Sequence, residues 1–253
     1  MSRIYSAALI VIGNEILSGR TRDANIQHIA GGLEGVGVRL REVRVVADDE
    51  AAIVAAVNAL RAAHDYVFTT GGDGPTHDDI TAAAVAKAFG VPIGRTAEAA
   101  ALLEAYFASR RVEPNEARMS MADMPAGAAL IDNRVSGAPG FRIENVYVMA
   151  GVPQIMQAMF AAVLPGLVGG APMLSRTVSV DLPEGAVAEA LERLQAAYDD
   201  VDMGSYPDYR RRGFGLNLVL RATDADRLGA AAAELMETLT ALGGTPTDEG
   251  AAA

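Results

Sequence analysis

The stretch Thr69-Thr70-Gly71-Gly72-Asp73-Gly74-Pro75-Thr76-His77-Asp78-Asp79-Ile80-Thr81 decides how this chain folds. It starts on the β-branched and aromatic run Tyr66 to Thr70, which reads as a strand. It ends in the alanine-rich run Asp79 to Phe89, which reads as a helix closed by Gly90. A strand turning through glycines into a helix is the unit of a parallel α/β sheet, and ligands bind such sheets at the C-terminal strand ends. The three glycines let the backbone come close to an anion and adopt positive φ, and N–H groups at the helix start can cradle phosphate oxygens. Asp78 and Asp79 offer oxygen ligands for a cation bridging those phosphates. The plainer alternative is a tight turn with Asp79 as helix cap, against which the density of Gly, Thr and Asp argues. No Lys-Ser or Lys-Thr follows the glycines and no G-x-G-x-x-G spacing is present, so neither a Walker loop nor a dinucleotide fingerprint is expected.

Upstream, Tyr5 to Ile12 reads as a buried strand, Asp23 to Gly35 as a helix and Val38 to Val46 as a strand. Glu50 to His64 carries the helical stripe Ile53, Val54, Val57 and Leu60. Downstream, Ala97 to Ser109 is a helix. Ala128 to Ile131, Arg142 to Glu144 and Asn145 to Ala150 are short strands, and a further helix runs to Val163. This alternation predicts an α/β domain with a mostly parallel sheet covered on both faces. The glycine-rich Pro165 to Pro172 reads as a linker. Beyond it the order is strand Arg176 to Leu182, helix Pro183 to Tyr198, strands Val201 to Tyr206 and Gly213 to Arg221, and helix Asp224 to Leu242, a small α+β (βαββα) domain. The expected division is 1–168 and 173–243, with 244–253 as a frayed tail because it has no periodicity.

Composition narrows the chemistry. Among 253 residues, 21 Lys and Arg face 32 Asp and Glu, a net charge of -11 that disfavours nucleic acid and anionic membrane partners. Cysteine is absent, which removes disulfides, thiolate nucleophiles and sulfur-ligated metals and favours a reducing, cytoplasmic setting. The apolar run Ala7 to Ile12 is too short to span a membrane, and Met1-Ser2-Arg3-Ile4 lacks the apolar stretch of a signal peptide. With only three histidines, a hard divalent cation held by carboxylates is the natural metal: magnesium first, with manganese or cobalt as substitutes.

Other clusters sit where strands are expected to end. Gly13-Asn14-Glu15-Ile16-Leu17-Ser18-Gly19 follows the first strand. Glu15 could orient a ligand hydroxyl or water there, and Ser18 with Gly19 could donate to an anion. A polar connection capped by Asp23 explains the same residues equally well. Asp48, Asp49 and Glu50 follow the second strand; helix capping accounts for one of them, and Asp48 could meet Asp79 across the sheet edge to hold a metal or activate water. The turns Gly137 to Phe141 and Ala150 to Gln154 read as rigid pocket walls, His77 as a turn residue, and Met119, Met121 and Met124 as core.

Together, Ile12-Gly13-Asn14-Glu15-Ile16-Leu17-Ser18-Gly19, Asp23-Ala24-Asn25, Thr69 to Thr81, Ala138-Pro139-Gly140-Phe141 and Gly151-Val152-Pro153 resemble the molybdopterin-binding-domain superfamily. Within it, they resemble competence/damage-inducible protein A and the N-terminal domain of eukaryotic FAD synthase. The resemblance covers residues 4 to 165, and Gly204 to Pro207 with Asn217 to Leu220 resemble the segment that follows in those proteins. It implies a three-layer α/β/α sandwich with a pterin or nucleotide phosphate on the glycine loop, Asp48 and Asp79 as the functional, metal-holding acids, and assembly into a dimer or trimer. Gly13, Glu15, Ser18, Gly19, Thr70, Gly71, Gly72, Asp73, Gly74, Pro75, Thr76 and Asp78 are the expected binding residues. The activity implied is metal-dependent cleavage of a nucleotide diphosphate of the ADP-ribose or FAD type. The alternatives are adenylyl transfer onto molybdopterin and non-catalytic binding of pterin or nucleotide. The resemblance reaches neither the amidase domain of the competence proteins nor the FAD-synthesising domain, so neither activity is expected.

Overall fold

In the computed structural model residues 3–208 and 215–251 are described, and the chain divides into two compact units after Gly170. The first unit runs β1 (Tyr5–Ile12), α1 (Asn14–Leu17), α2 (Asn25–Gly35), β2 (Val38–Val46), α3 (Glu50–Ala63), β3 (Tyr66–Thr70), α4 (Thr81–Phe89), β4 (Ile93–Arg95), α5 (Ala97–Ser109), α6 (Glu116–Met119), β5 (Asp123–Pro125), β6 (Ala129–Ile131), β7 (Gly140–Ile143), β8 (Val146–Met149) and α7 (Pro153–Val163). Its main sheet has the order β2-β1-β3-β8-β7-β6; the first four strands are parallel, and β7 and β6 close one edge antiparallel. β4 and β5 form a separate antiparallel ribbon.

Both faces of this sheet are covered, which is why β1 is apolar at nearly every position rather than alternating. Ala8, Ile10 and Ile12 face Ile53, Val57 and Leu60 of α3, Val85 of α4 and Leu103 of α5. Ala7, Leu9 and Val11 face Ile29 and Leu33 of α2 and Met156 and Phe160 of α7. The result is a three-layer α/β/α sandwich whose parallel strands end together at one edge.

Part of the expected linker is fastened to this unit. Tyr66 Oη donates to Val168 O at 3.0 Å, and Gly170 N donates to Gly37 O at 3.0 Å. A Cβ on Gly169 would lie 1.6 Å from Val36 O, so only glycine lets the strap lie this close.

The second unit runs β9 (Leu174–Val180), α8 (Glu184–Ala197), β10 (Asp202–Pro207), β11 (Leu216–Ala222), α9 (Ala225–Ala241) and β12 (Thr247–Ala251). Its sheet has the order β10-β11-β9-β12, antiparallel throughout. Leu216, Leu218 and Leu220 alternate inward against Leu228, Leu235 and Leu239 of α9 and Val187 and Leu194 of α8. The tail expected to fray is instead an edge strand, β12, paired with β9 and pinned by Arg176 Nε, which donates to Asp248 Oδ2 at 3.0 Å. Edge pairing uses backbone groups, so it needs no apolar period in the added strand. Gly213 and Phe214 of the expected third strand, and Ala252 and Ala253 of the tail, lie outside the described residues. No helix among the described residues is long and apolar enough to cross a membrane.

Candidate functional site

The glycine loop leaves β3 at Thr70 and passes through two residues of positive φ, Gly71 at 99° and Gly72 at 62°. A Cβ on Gly71 would sit 2.1 Å from Ile12 O, and one on Gly72 would sit 2.4 Å from Thr81 Oγ1. The loop is therefore folded hard against the end of β1 and the start of α4, in a conformation only glycine adopts without strain. Thr81, fully buried, clasps it: Oγ1 donates to Gly71 O at 2.9 Å and N donates to Gly72 O at 3.0 Å. Helix starts present N–H groups without intrahelical partners, and α4 points its start toward this loop.

Asp79 does not cap α4. The cap position belongs to Ile80, and the Asp79 carboxylate turns back so that Oδ2 accepts from Thr76 N at 2.7 Å and Thr76 Oγ1 at 2.5 Å. The capping role expected for one acid of the other cluster falls to Asp49, whose Oδ1 accepts from Ala52 N at 2.8 Å on α3. Asp23 likewise accepts from Ile26 N at 2.8 Å at the start of α2.

Gly72, Asp73, Gly74 and Asp79 line one side of a cavity of about 320 Å³, facing Ser120, Asp123 and Phe141. Asp73 is half-buried, and its Oδ1 accepts from Gly151 N at 3.3 Å. Burial, reinforced by the negative charge of Asp79 and opposed by the Gly151 N–H, pushes its carboxyl up to about 6. Asp78 is held below the usual range, first by the Thr76 hydroxyl; it is exposed, 3.9 Å from His77 Nδ1, and lines none of the three cavities at this edge. Pro75 lies on the rim of a different cavity with Tyr106 and Arg118.

The remaining expected residues gather elsewhere along the same strand edge. Glu15, Thr70, Gly71 and Gly151 line a small cavity of about 60 Å³ with Asp23 and Asn25. Asn25 Nδ2 donates to Gly151 O at 2.8 Å, so Asn25, Gly151 and Asp73 form one connected chain from α2 to the glycine loop. Asn25 Oδ1 and Thr70 Oγ1 are buried there without a hydrogen-bond partner. The Glu15 side chain folds over Gly13, where a Cβ would lie 2.4 Å from its Oε1. The Ser18 hydroxyl donates to Glu15 O at 3.3 Å, and both Ser18 and Gly19 are exposed. Asp48 Oδ2 accepts from Asn14 N at 2.8 Å, so Asp48 organises the loop after β1 and lines none of these three cavities.

The carboxylates on the cavity of about 320 Å³ are thus Asp73 and Asp79 from the glycine loop and, facing them, Asp123, which accepts from Arg95 Nε at 3.0 Å. Among the described residues no group of three or more acids and histidines is placed to cage a metal. The donors present still suit a hard cation, because magnesium is commonly held by one or two carboxylates together with substrate phosphates and water. Positive charge beside Asp73 and Asp79 would also offset the burial and the neighbouring carboxylate that raise the proton affinity of Asp73. Ser120, directly after α6, and Asp123, the first residue of β5, carried no local signal in the sequence. Of the three methionines assigned to the core, Met119 and Met124 are buried and Met121 packs partly buried against the same cluster; Met121 and Met124 also line the cavity.

A family model for a probable molybdopterin binding domain matches residues 8–169, and one for the middle domain of FAD synthase matches residues 172–244. The chain is similar to a CinA-like protein of Desulfosudis oleivorans, 38% identical over 211 residues that cover 78% of this chain and 51% of that protein. It is also similar to a probable FAD synthase of Caenorhabditis elegans, 31% identical over 266 residues that cover 94% of this chain and 51% of that protein. It therefore spans about half the length of these two relatives. Among solved structures, CinA of Thermoplasma acidophilum, described as of unknown function, matches with a TM-score of 0.59 at 32% identity, over 64% of this chain and 96% of that one.

Proposed function

We infer the function from the family to which this chain belongs, the molybdopterin-binding domains of CinA-like proteins, and from its glycine loop: the chain hydrolyses a nucleotide diphosphate of the ADP-ribose or FAD type. The observation carrying this reading is the convergence of the Gly72–Gly74 backbone, Asp73 and Asp79 on one cavity at the C-terminal strand edge. Backbone N–H groups of the loop and the start of α4 bind the diphosphate oxygens without a lysine, which the acidic chain does not place there.

Asp79 would hold a divalent cation together with phosphate oxygens of the substrate and water, while Asp48, the second acid implied by the family, is engaged here by Asn14 N at 2.8 Å. When bound, the cation neutralises charge on the phosphoryl oxygens and makes water a better nucleophile. The clasp of Thr81 on Gly71 and Gly72 fixes the loop before the ligand arrives, so little ordering cost falls on binding. Asp73, in the loop and on the same cavity as Asp79, is placed to take a proton from the attacking water. Attack on one phosphorus breaks the P–O–P bridge and leaves two phosphate monoesters, one of them AMP.

The test is incubation of the metal-stripped protein with ADP-ribose and with FAD, adding back magnesium, manganese or cobalt and following AMP. Metal-dependent AMP release that Asp79→Ala abolishes supports the reading. Absence of AMP from either substrate under every metal rejects it, and ligand-induced thermal stabilisation in that case would identify a binding module.

A further inference from the structure

Strand β2 forms one edge of the main sheet: it pairs with β1 on one side, and among the described residues no strand pairs with the other. An open edge presents a row of N–H and C=O groups ready to accept a further strand. Which residues present them follows from the ladder. Gly13 N donates to Val46 O at 3.1 Å, so Val46 turns its backbone groups to the β1 side. Alternation then turns those of Val43 and Val45 outward. The register shift at Ala7 and Ala8 takes up Arg41 as the extra residue, and Glu42 to Val46 run regularly opposite Ala8 to Ile12.

The side chains divide between two faces. Arg39 and Arg41 guard the first half of the edge with charge, whereas the second half presents valines. Val43 and Val45 share the row of Leu9 and Val11, yet they are 37% and 38% exposed, and Leu17 of α1, an element packed on β2, is 54% exposed. Glu42 and Arg44 occupy the opposite face, in the row of Ala8 and Ile10. Arg44 Nε donates to Glu42 Oε1 at 2.6 Å, both side chains remain well exposed, and Glu42 Oε2 lies 3.7 Å from His64 Nε2.

This pattern is complementary to itself. When a second β2 lies antiparallel on the edge, outward-facing residues must oppose one another. With a twofold axis at Val43, the two copies of Val43 exchange both backbone bonds, Glu42 faces Arg44 of the second copy, and Arg44 faces Glu42 of the second copy. The two nearest alternatives place the axis on Glu42 or on Arg44 and set that residue against its own like charge, which destabilises a cross-strand pair.

We propose that the open edge of β2 is a docking surface for a second copy of this chain, paired antiparallel about a twofold axis at Val43. The sheet then continues from one molecule into the next, and the exposed valines are covered. Such an interface closes after two copies, so it selects the dimer from the dimer or trimer expected of the sequence.

The test is sedimentation velocity of the full chain over a range of concentrations, with thermal melting to confirm that each variant is folded. The wild type is expected to dimerise. Glu42→Arg and Arg44→Glu each set like charges opposite one another at both symmetric pairs, and each should weaken dimerisation about tenfold or more. Mixing the two variants should restore the dimer, because two positive side chains of one copy then face two negative ones of the other. Val43→Lys, which brings two ammonium groups together at the axis, should also dissociate it. A monomeric wild type, which would leave the edge to a different partner, overturns the proposal, as does a trimer. A dimer that survives all three substitutions places the interface elsewhere, and charge variants that stay monomeric when mixed refute the register; either result overturns it. None of these outcomes bears on the reading of the glycine loop.

Discussion

The glycine loop of the first unit and the edge strands of the second both hold aspartates near a backbone turn, yet they treat the charge in opposite ways. Asp248 and Asp200 of the second unit meet arginines: Arg176 donates to Asp248, and Arg227 Nη2 donates to Asp200 at 2.7 Å. Both carboxyls are held below the usual range, chiefly by those guanidinium hydrogen bonds. Among the described residues Asp73 meets no arginine; burial first, and then the repulsion of Asp79, raises its affinity for a proton against the opposing hydrogen bond from Gly151 N. The arginine-paired acids are neutralised within the fold, whereas a carboxyl whose proton affinity is raised in a cavity is the kind found at functional sites. The same contrast runs through the glycines: Gly71 is locked against β1, while Gly243 has positive φ with nothing within 4 Å of its missing Cβ.

The largest effect that could break this comparison is Gly71→Ala. With φ of 99° and a backbone oxygen 2.1 Å from the new Cβ, it should cost about 3 kcal/mol in urea denaturation. Gly243→Ala, strained but unobstructed, should cost only about 1 kcal/mol. Equal costs would mean that the loop relaxes freely and is not preorganised. Next in size is Thr81→Val, which removes the buried donor to Gly71 O while keeping shape; a loss of about 2 kcal/mol is expected, with weakened diphosphate binding in calorimetry.

Asp73→Asn sharpens the electrostatic half of the contrast. The Asp73 carboxyl moves from 3.8 to about 6 on folding, so between those values the folded chain keeps a proton that the unfolded chain has released. Wild-type stability therefore falls as pH rises through that window and levels off above it. In EDTA the wild type should lose about 1–2 kcal/mol relative to Asp73→Asn between about pH 4 and pH 7. A difference independent of pH would show that Asp73 is ionised throughout. The smallest effect is Asp248→Asn, expected to cost under about 1 kcal/mol because its arginine pair is partly exposed. A loss as large as that of Gly71→Ala would put β12 on the same footing as the glycine loop.

What could be read from the sequence was what is local. Val38–Val46 and Ala97–Ser109 form with the bounds expected of them, and the glycine loop is where a strand running into Gly-Gly must turn. Partnerships between distant residues were not legible. β12 reads as polar tail because Thr247 to Ala251 has no apolar period, and its identity as a strand comes only from register with β9. Asp48 and Asp79 look like a pair by virtue of following successive strands. The structure instead gives Asp48 to the Asn14 amide and brings Asp73 beside Asp79 on the cavity, a choice set by how the loop folds over Ile12 and Thr81.

The strap from Val168 to Gly170 has a consequence for the order in which the first unit assembles. Its bonds to Tyr66 and Gly37 join positions separated by roughly a hundred residues of chain or more, and such contacts close late because the intervening loop must first be organised. Leaving the ribosome, β1, β2 and β3 can pair while the strap is still being made. The first unit is sealed only when the chain has been synthesised past Gly170, so a chain cut at Val163 would hold every strand of the sheet and still lack its last closing bonds.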